Sequence, residues 1–271
     1  MIVLDDENIF TNKRKSSKGN QLKWVLGKTW YKADYLGYEG LAEYVVSRLL
    51  QYSSLDPSEY VDYETEDIAY KLNTFHGCQS MSFLRPGERL ITLNRLFLEV
   101  YGYDLYGAIW HIPDEKDRLI QITNSVIACT GLNHFGEYLC KLLEIDALFL
   151  NEDRHFHNIA LIQKDDGSFS YAPVFDNGAG LMSDTTIDYP MHGDIYKMIN
   201  TVKGKTISSS LKRQIEIAEE VFDIQIHFTF KEKDIVSILQ NEKNYDEQTK
   251  IRVLDILLEQ KRKYNYLFVK Q

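Results

Sequence analysis

The chain has 271 residues, 44% hydrophobic and 26% charged, enough for a sizeable core in one two-lobed domain or two small ones. Its 5 prolines and 15 glycines are too few for a disordered chain. A net charge of −9 works against non-specific binding to nucleic acid or anionic membranes, although KRKSSK (13–18) forms a local basic patch or a solvated loop. Three cysteines, Cys78, Cys129 and Cys140, make an odd set without paired short spacing. That excludes a disulfide framework or zinc site and fits a reducing compartment. MIVLDDENIF has no basic start and no long apolar run, so it does not read as a signal peptide. No window approaches the roughly 18 apolar residues of a membrane span, and the expected location is the cytoplasm.

In chain order, NQLKWV (20–25) and TWYKA (29–33) read as strands joined by a turn at Gly27. Residues 38–51 place Leu41, Val45 and Leu49 at helical spacing. EYVDYE (59–64), DIAYKLNTF (67–75) and CQSMSFL (78–84) read as three more strands, followed by the turn RPGE. From about residue 90 the pattern turns helical: RLFLEVYGYDLYGAIW, KDRLIQITNSVIACTG and NHFGEYLCKLLEIDALFLN. Leu139, Leu142 and Leu143 form a buried face of the last of these. NIALIQ and YAPVFD, separated by KDDGS, predict a hairpin. ISSSLKRQIEIAEEVF, KEKDIVSILQ and EQTKIRVLDILLEQKRKYNYLF predict further helices. The expected fold is α+β and two-lobed, with a β-rich lobe over 1–88, a helical lobe over 89–271 and a ligand cleft between them.

Chemistry concentrates in NEDRHFHN (151–158) and VFDNGAG (174–180), each at the end of an apolar run. The predicted hairpin brings Asn158 and Asp176 to one point. An amide oxygen and a carboxylate are hard donors suited to Mg²⁺, which shares its shell with waters and phosphates. Asp153 is then a spare carboxylate, able to take a proton from an attacking hydroxyl. That division of labour belongs to protein-kinase phosphoryl transfer, and the interval from Asp153 to Asn158 matches the spacing of its catalytic Asp and Asn. The order DRH instead of HRD, and FDN instead of DFG, mark an atypical version. His155 and His157 form H-x-H without a third ligand nearby, so His155 reads as a brace for the loop. Arg154 reads as a loop anchor or a phosphate contact. His192, Gly193 and Asp194 lie where an activation or substrate segment would run, or form a plain loop.

DRHFHN followed by APVFDNGAG resembles the HipA-like serine/threonine kinases, whose pattern is D-x-H-x-x-N and then a strand ending in Asp. The length is similar to the compact, CtkA-type bacterial members. DRHxxN also occurs in phosphoinositide 3-kinase-like enzymes, but the FDNG continuation favours the HipA-like group. SSKGNQLKW (16–24) resembles that family's S-x-x-G-x-Q phosphate loop. The resemblance implies ATP and Mg²⁺ as cofactors, with Ser16, Ser17 and Gly19 at the phosphates and Ser16 open to autophosphorylation. It implies Lys32 on the α/β-phosphates, braced by Glu43 or, one helical turn earlier, by Glu39. Phe83 in SFLRPGE falls near the adenine, and His155, Asn158 and Asp176 fall among the nucleotide-binding residues. Asp153, Lys32 and Glu43 are the implied catalytic set, and Asn158 and Asp176 the implied metal ligands. The implied activity is phosphorylation of a protein Ser or Thr hydroxyl, with a toxin-like role and an antitoxin partner. A nucleotide-binding regulator without turnover, or a small-molecule or lipid kinase on the same scaffold, is the rival reading.

Overall fold

The computed structural model describes residues 1–10 and 21–269. Among these the architecture is mixed α+β, with strands concentrated early in the chain and helices later. A short strand β1 (Ile2–Leu4) opens it. Next comes a hairpin of β2 (Lys23–Leu26) and β3 (Thr29–Ala33). Its turn places Gly27 at φ 62°, in the left-handed region that glycine enters without a Cβ penalty. Helix α1 (Glu39–Leu50) follows, then β4 (Glu64–Thr65), β5 (Ile68–Tyr70), β6 (Asn73–Phe75), β7 (Gly77–Met81) and β8 (Glu88–Thr92).

Strands β2, β3, β7 and β4 form one antiparallel sheet in the order β2-β3-β7-β4. Strand β1 runs parallel to β5, which pairs antiparallel with β6. Trp24, Tyr31 and Ala33 of the first sheet pack with Leu4, Ile68 and Tyr70 of the second, forming a small separate core.

The helical part begins with α2 (Leu93–Tyr101), α3 (Leu105–Trp110), α4 (Glu115–Thr130) and α5 (Phe135–Phe149). Thr92, Asp104 and Asp114 cap the first three by accepting backbone N–H groups of the first turn. Strands β9 (Ala160–Lys164) and β10 (Phe169–Tyr171) pair with each other, and β9 also pairs with β8. The remaining helices are α6 (Ile195–Ile199), α7 (Leu211–Phe222), α8 (Glu232–Asn241) and α9 (Glu247–Lys263). Helix α5 is buried almost all round, Glu144 and Asp146 included, and packs against α4, α7 and α9.

Several expectations need correction. The strand expected at 59–64 is only Glu64–Thr65, preceded by a 3₁₀ turn at Pro57–Glu59. The single strand expected over 67–75 is a hairpin, broken where Lys71 adopts φ 54°. The long helix over 95–110 divides at Gly102, whose φ of 76° closes α2 with a left-handed cap. Strand β8 and helix α6 were not expected. The partner of β9 is Phe169–Tyr171 rather than YAPVFD. Beyond Tyr171 the chain turns away to bond at Val174 with the backbone of Glu59 and Val61. The hairpin therefore does not itself carry Asp176 to Asn158.

Candidate active site

Helix α5 ends at Leu150, in the left-handed conformation, and the loop 151–158 starts from that corner. The loop is wound on its own polar groups. Asn151 Oδ1 accepts the N–H of Asp153 at 3.2 Å, and the N–H of Asn158 reaches the His155 carbonyl at 2.7 Å. Asn158 Nδ2 donates to the Asp153 carbonyl at 3.0 Å and to Asp153 Oδ2 at 3.3 Å. Asp153 and Asn158 are thus neighbours because each completes the other's hydrogen bonding. The N–H of His155 donates to the Asp153 carbonyl at 2.9 Å, and its Nδ1 accepts from the N–H of His157 at 3.3 Å. His155 Nε2 lies 3.8 Å from Asp153 Oδ1.

Arg154 joins this loop to the next. Its side chain is 2% exposed and its Nε lies 3.1 Å from both carboxylate oxygens of Asp146 on α5. One terminal nitrogen donates to the carbonyls of Asn158 (3.2 Å) and Phe175 (2.8 Å), the other to Asn177 Oδ1 (2.8 Å). Arg154 is therefore a loop anchor: its donors are turned inward and buried. Burial pushes the Asp146 carboxyl up to about 6, a shift that the guanidinium opposes.

Asp176, at φ 59°, follows Phe175, and Asn151 Nδ2 holds its carbonyl at 3.4 Å. Its Oδ1 receives Lys32 Nζ at 2.7 Å, and Lys23 Nζ stands at 3.8 Å. Lys32 Nζ also meets Glu43 Oε1 at 2.6 Å, while Glu43 Oε2 accepts the N–H of Asn177 at 2.8 Å. Glu43 in α1 thus braces both the β3 lysine and the residue after Asp176. Burial opposes ionisation of Asp176, but Lys23, Lys32 and Arg154 outweigh it and hold the carboxyl well below the usual carboxylate range. Burial likewise works against the Lys32 ammonium, yet Asp176 and Glu43 raise it well above its ordinary value. Glu39, the alternative partner of Lys32, is occupied elsewhere. Its carboxylate accepts the N–H groups of Tyr35, Leu36 and Gly37, capping the entry to α1.

Phe83 packs against Val61, Tyr63 and Cys78, with its ring 5.7 Å from that of Phe175, the residue before Asp176. Ser16, Ser17 and Gly19 lie outside the described residues. Asp194 caps α6, and the carbonyls of Tyr189, Pro190 and Met191 all accept from Arg252 of α9. The segment before His192 is therefore fixed from beneath.

Two residues escaped the sequence reading. Lys23 was legible: a hairpin turning at Gly27 and Lys28 pairs Lys23 directly with Lys32, on one face of the sheet. Lys205, whose Nζ lies 2.8 Å from Asp153 Oδ1, carried no such signal.

Among the described residues no group of three His, Cys, Asp or Glu could hold a metal, so a transition-metal centre finds no support. The donor set that suits a hard cation is different. Asp176 is ionised, and both lysines approach its Oδ1, leaving Oδ2 as the second carboxylate oxygen. Asn158 turns its amide nitrogen to Asp153, which leaves Oδ1 as its acceptor end.

No protein-family model matches the chain, and no curated protein matches it in sequence. Solved structures do match its fold. The Helicobacter pylori proinflammatory kinase CtkA superposes with a TM-score of 0.63 at 14% identity, over 98% of this chain and 96% of that one. HipA of the Shewanella oneidensis MR-1 toxin–antitoxin system, in its complex with HipB and operator DNA, gives a TM-score of 0.48 at 11% identity. That second comparison covers 96% of this chain and 63% of the HipA chain. This protein is similar in fold to CtkA; at these identities the likeness is one of fold alone.

Proposed function

We propose that this chain, sharing its fold with a kinase, is itself an ATP- and Mg²⁺-dependent protein kinase of HipA-like, CtkA type that phosphorylates Ser or Thr hydroxyls. The observation that carries the reading is the convergence, through Arg154, of the Asp153–Asn158 loop with the Lys32–Glu43–Asp176 cluster. On this reading residues 1–88 and 89–271 act as two lobes closing on the nucleotide.

Phosphoryl transfer of this kind needs alignment and charge neutralisation more than covalent help. Lys32, fixed by Glu43, binds the α/β-phosphates, and Lys23 adds a second positive charge beside it. Phe83 packs near the adenine. Asp176 and Asn158 are the residues that would hold Mg²⁺, which when bound supplies charge neutralisation on the phosphates. Asp153 orients the substrate hydroxyl and accepts its proton. His155 and Arg154 keep that carboxylate in place. The motif resemblance extends the proposal to a toxin-like role in the cytoplasm, restrained by an antitoxin.

Transfer of label from γ-labelled ATP to the protein itself or to a lysate tests the reading. Asp153→Ala and Asp176→Ala are each expected to lower the rate by ~10²–10⁴-fold. Undiminished labelling in both variants would overturn the assignment. ATP binding without any turnover in the wild type would favour a regulator instead.

A further inference from the structure

We infer that Lys205 is a further catalytic residue of this site, its ammonium holding Asp153 in the free protein and contacting the transferring phosphoryl group in the reacting complex. The inference rests on the phosphotransfer reading above and assigns a role that no motif in the sequence indicated.

The first ground is geometry. Lys205 stands 52 residues beyond Asp153 in sequence, yet its Nζ reaches Asp153 Oδ1 at 2.8 Å. The other carboxylate oxygen faces Asn158 Nδ2 at 3.3 Å. Asp153 is thus gripped at both ends, by an amide from its own loop and by a cation from a distant one. His155 Nε2, 3.8 Å from Oδ1, is a third neighbour of the carboxylate.

The second ground is the framework under Lys205. Buried Gln214 of α7 turns its Oε1 to the N–H groups of Thr206 (2.9 Å), Ile207 (2.9 Å) and Ser208 (3.3 Å). Thr206 Oγ1 donates to the carbonyl of Arg154, beside Asp153, and Arg118 donates to the carbonyl of Ile207. At Gly204 a Cβ would lie 2.5 Å from Gln214 Nε2 and 2.8 Å from the Ser208 carbonyl, so the loop closes on Gln214 only with glycine there. Thr206, Ile207 and Ser208 are buried, whereas the Lys205 side chain is 33% exposed. An ion pair that open to solvent adds little to stability. A rigid buried frame delivering it to one carboxylate instead serves position.

The third ground is the distribution of charge. Lys23 and Lys32 gather at Asp176, the expected end of the α/β-phosphates and metal. Lys205 is at Asp153, where the acceptor hydroxyl and the γ-phosphorus must meet. In the step, the hydroxyl oxygen bonds to the γ-phosphorus and its proton passes to Asp153. The bond from the γ-phosphorus to the bridging oxygen breaks, with its electron pair leaving on ADP. Lys205 neither gives nor takes a proton. One hydrogen bond from the same carboxylate, its ammonium lies beside the equatorial oxygens and offsets their charge throughout.

The experiment compares wild type with Lys205→Met, Lys205→Arg and Lys203→Met, the last on the same loop. Steady-state phosphoryl transfer, MgADP affinity by calorimetry and Tm are read for each. Lys205→Met is expected to lower kcat about 10²-fold with MgADP affinity and Tm little changed. Lys205→Arg should restore part of that loss by returning the charge, and Lys203→Met should match the wild type. A Lys205→Met kcat within about threefold of wild type overturns the inference and leaves the kinase reading standing. So does a loss of kcat that Lys205→Arg fails to relieve. A wild type that transfers no phosphoryl group sinks both.

Discussion

Arg154 shows how one side chain can hold a site together without entering its chemistry. It lies next to Asp153 in the chain, but its guanidinium points into the protein and joins Asp146, Asn158, Phe175 and Asn177. Replacing it by Met leaves Asp146 buried without its charged partner and takes a donor from each of two carbonyls. Arg154→Met is expected to cost ~3–5 kcal/mol in chemical denaturation. Arg154→Lys should recover little, because a point charge cannot span four separate acceptors. At this scale the sequence told half the story. The spacing of Asp153 and Asn158 was legible because both belong to one tight loop. Arg154 stayed undecided because its main partner, Asp146, is hidden within the helical run EIDALFL. Glu39 and Glu43 were inseparable for a different reason. They share a helical face, and only the backbone N–H groups of the turn before α1 claim the first of them.

Among the elements, the helices were the more legible. Helices α1, α4, α5, α7, α8 and α9 combine apolar spacing with recognisable ends, such as the capping Asp114, Ser210 and Asp246. The strands were harder because most are three to five residues long, too short for alternation to show. Strand β8 runs directly into α2 with no glycine or proline between, and the turn at Lys71 carries none of the usual turn residues. The segment 172–176 is apolar enough to suggest part of a hairpin, but the backbone partners of Val174 lie more than a hundred residues earlier in the chain. Helix α7 illustrates what an element can do beyond its own packing. Gln214 is buried, and its side-chain oxygen is the acceptor for successive N–H groups of the loop above it. Gln214→Leu keeps the apolar contact but strands those donors, and is expected to cost ~2–4 kcal/mol. Hydrogen exchange at Thr206, Ile207 and Ser208 should accelerate well before the rest of α7 responds.

Across the whole molecule, the C-terminal helices return to the early strands. Tyr245 OH donates to Asp34 Oδ2 at 2.8 Å, Thr65 Oγ1 to Glu242 Oε1 at 3.1 Å, and Arg252 Nε to the Tyr38 hydroxyl at 3.1 Å. No local pattern announces a contact across 211 residues, so the sequence showed these helices and not where they dock. Burial, with Glu39 adding to it, pushes the Asp34 carboxyl up to about 7, while the Gly40 N–H, Tyr245 and His76 pull it down. In the unfolded chain Asp34 ionises near its ordinary value of 3.8, so the folded state loses stability as pH climbs from there to about 7. The Tyr245 hydroxyl moderates that loss by solvating the carboxylate. Tyr245→Phe is expected to cost on the order of 1 kcal/mol where Asp34 is protonated, and more above pH ~7, where the lost bond is to a charged group. Urea titrations on either side of neutrality check it. Cys78, which faces Lys32 across the β3–β7 ladder, shares this concealment. Burial, with Glu43 adding to it, drives its thiol well above the ordinary range. Oxidants and electrophiles that seek a thiolate find none there while the two strands stay joined. The lysine at the centre of the cluster is therefore flanked by sulfur that behaves as a small hydrocarbon.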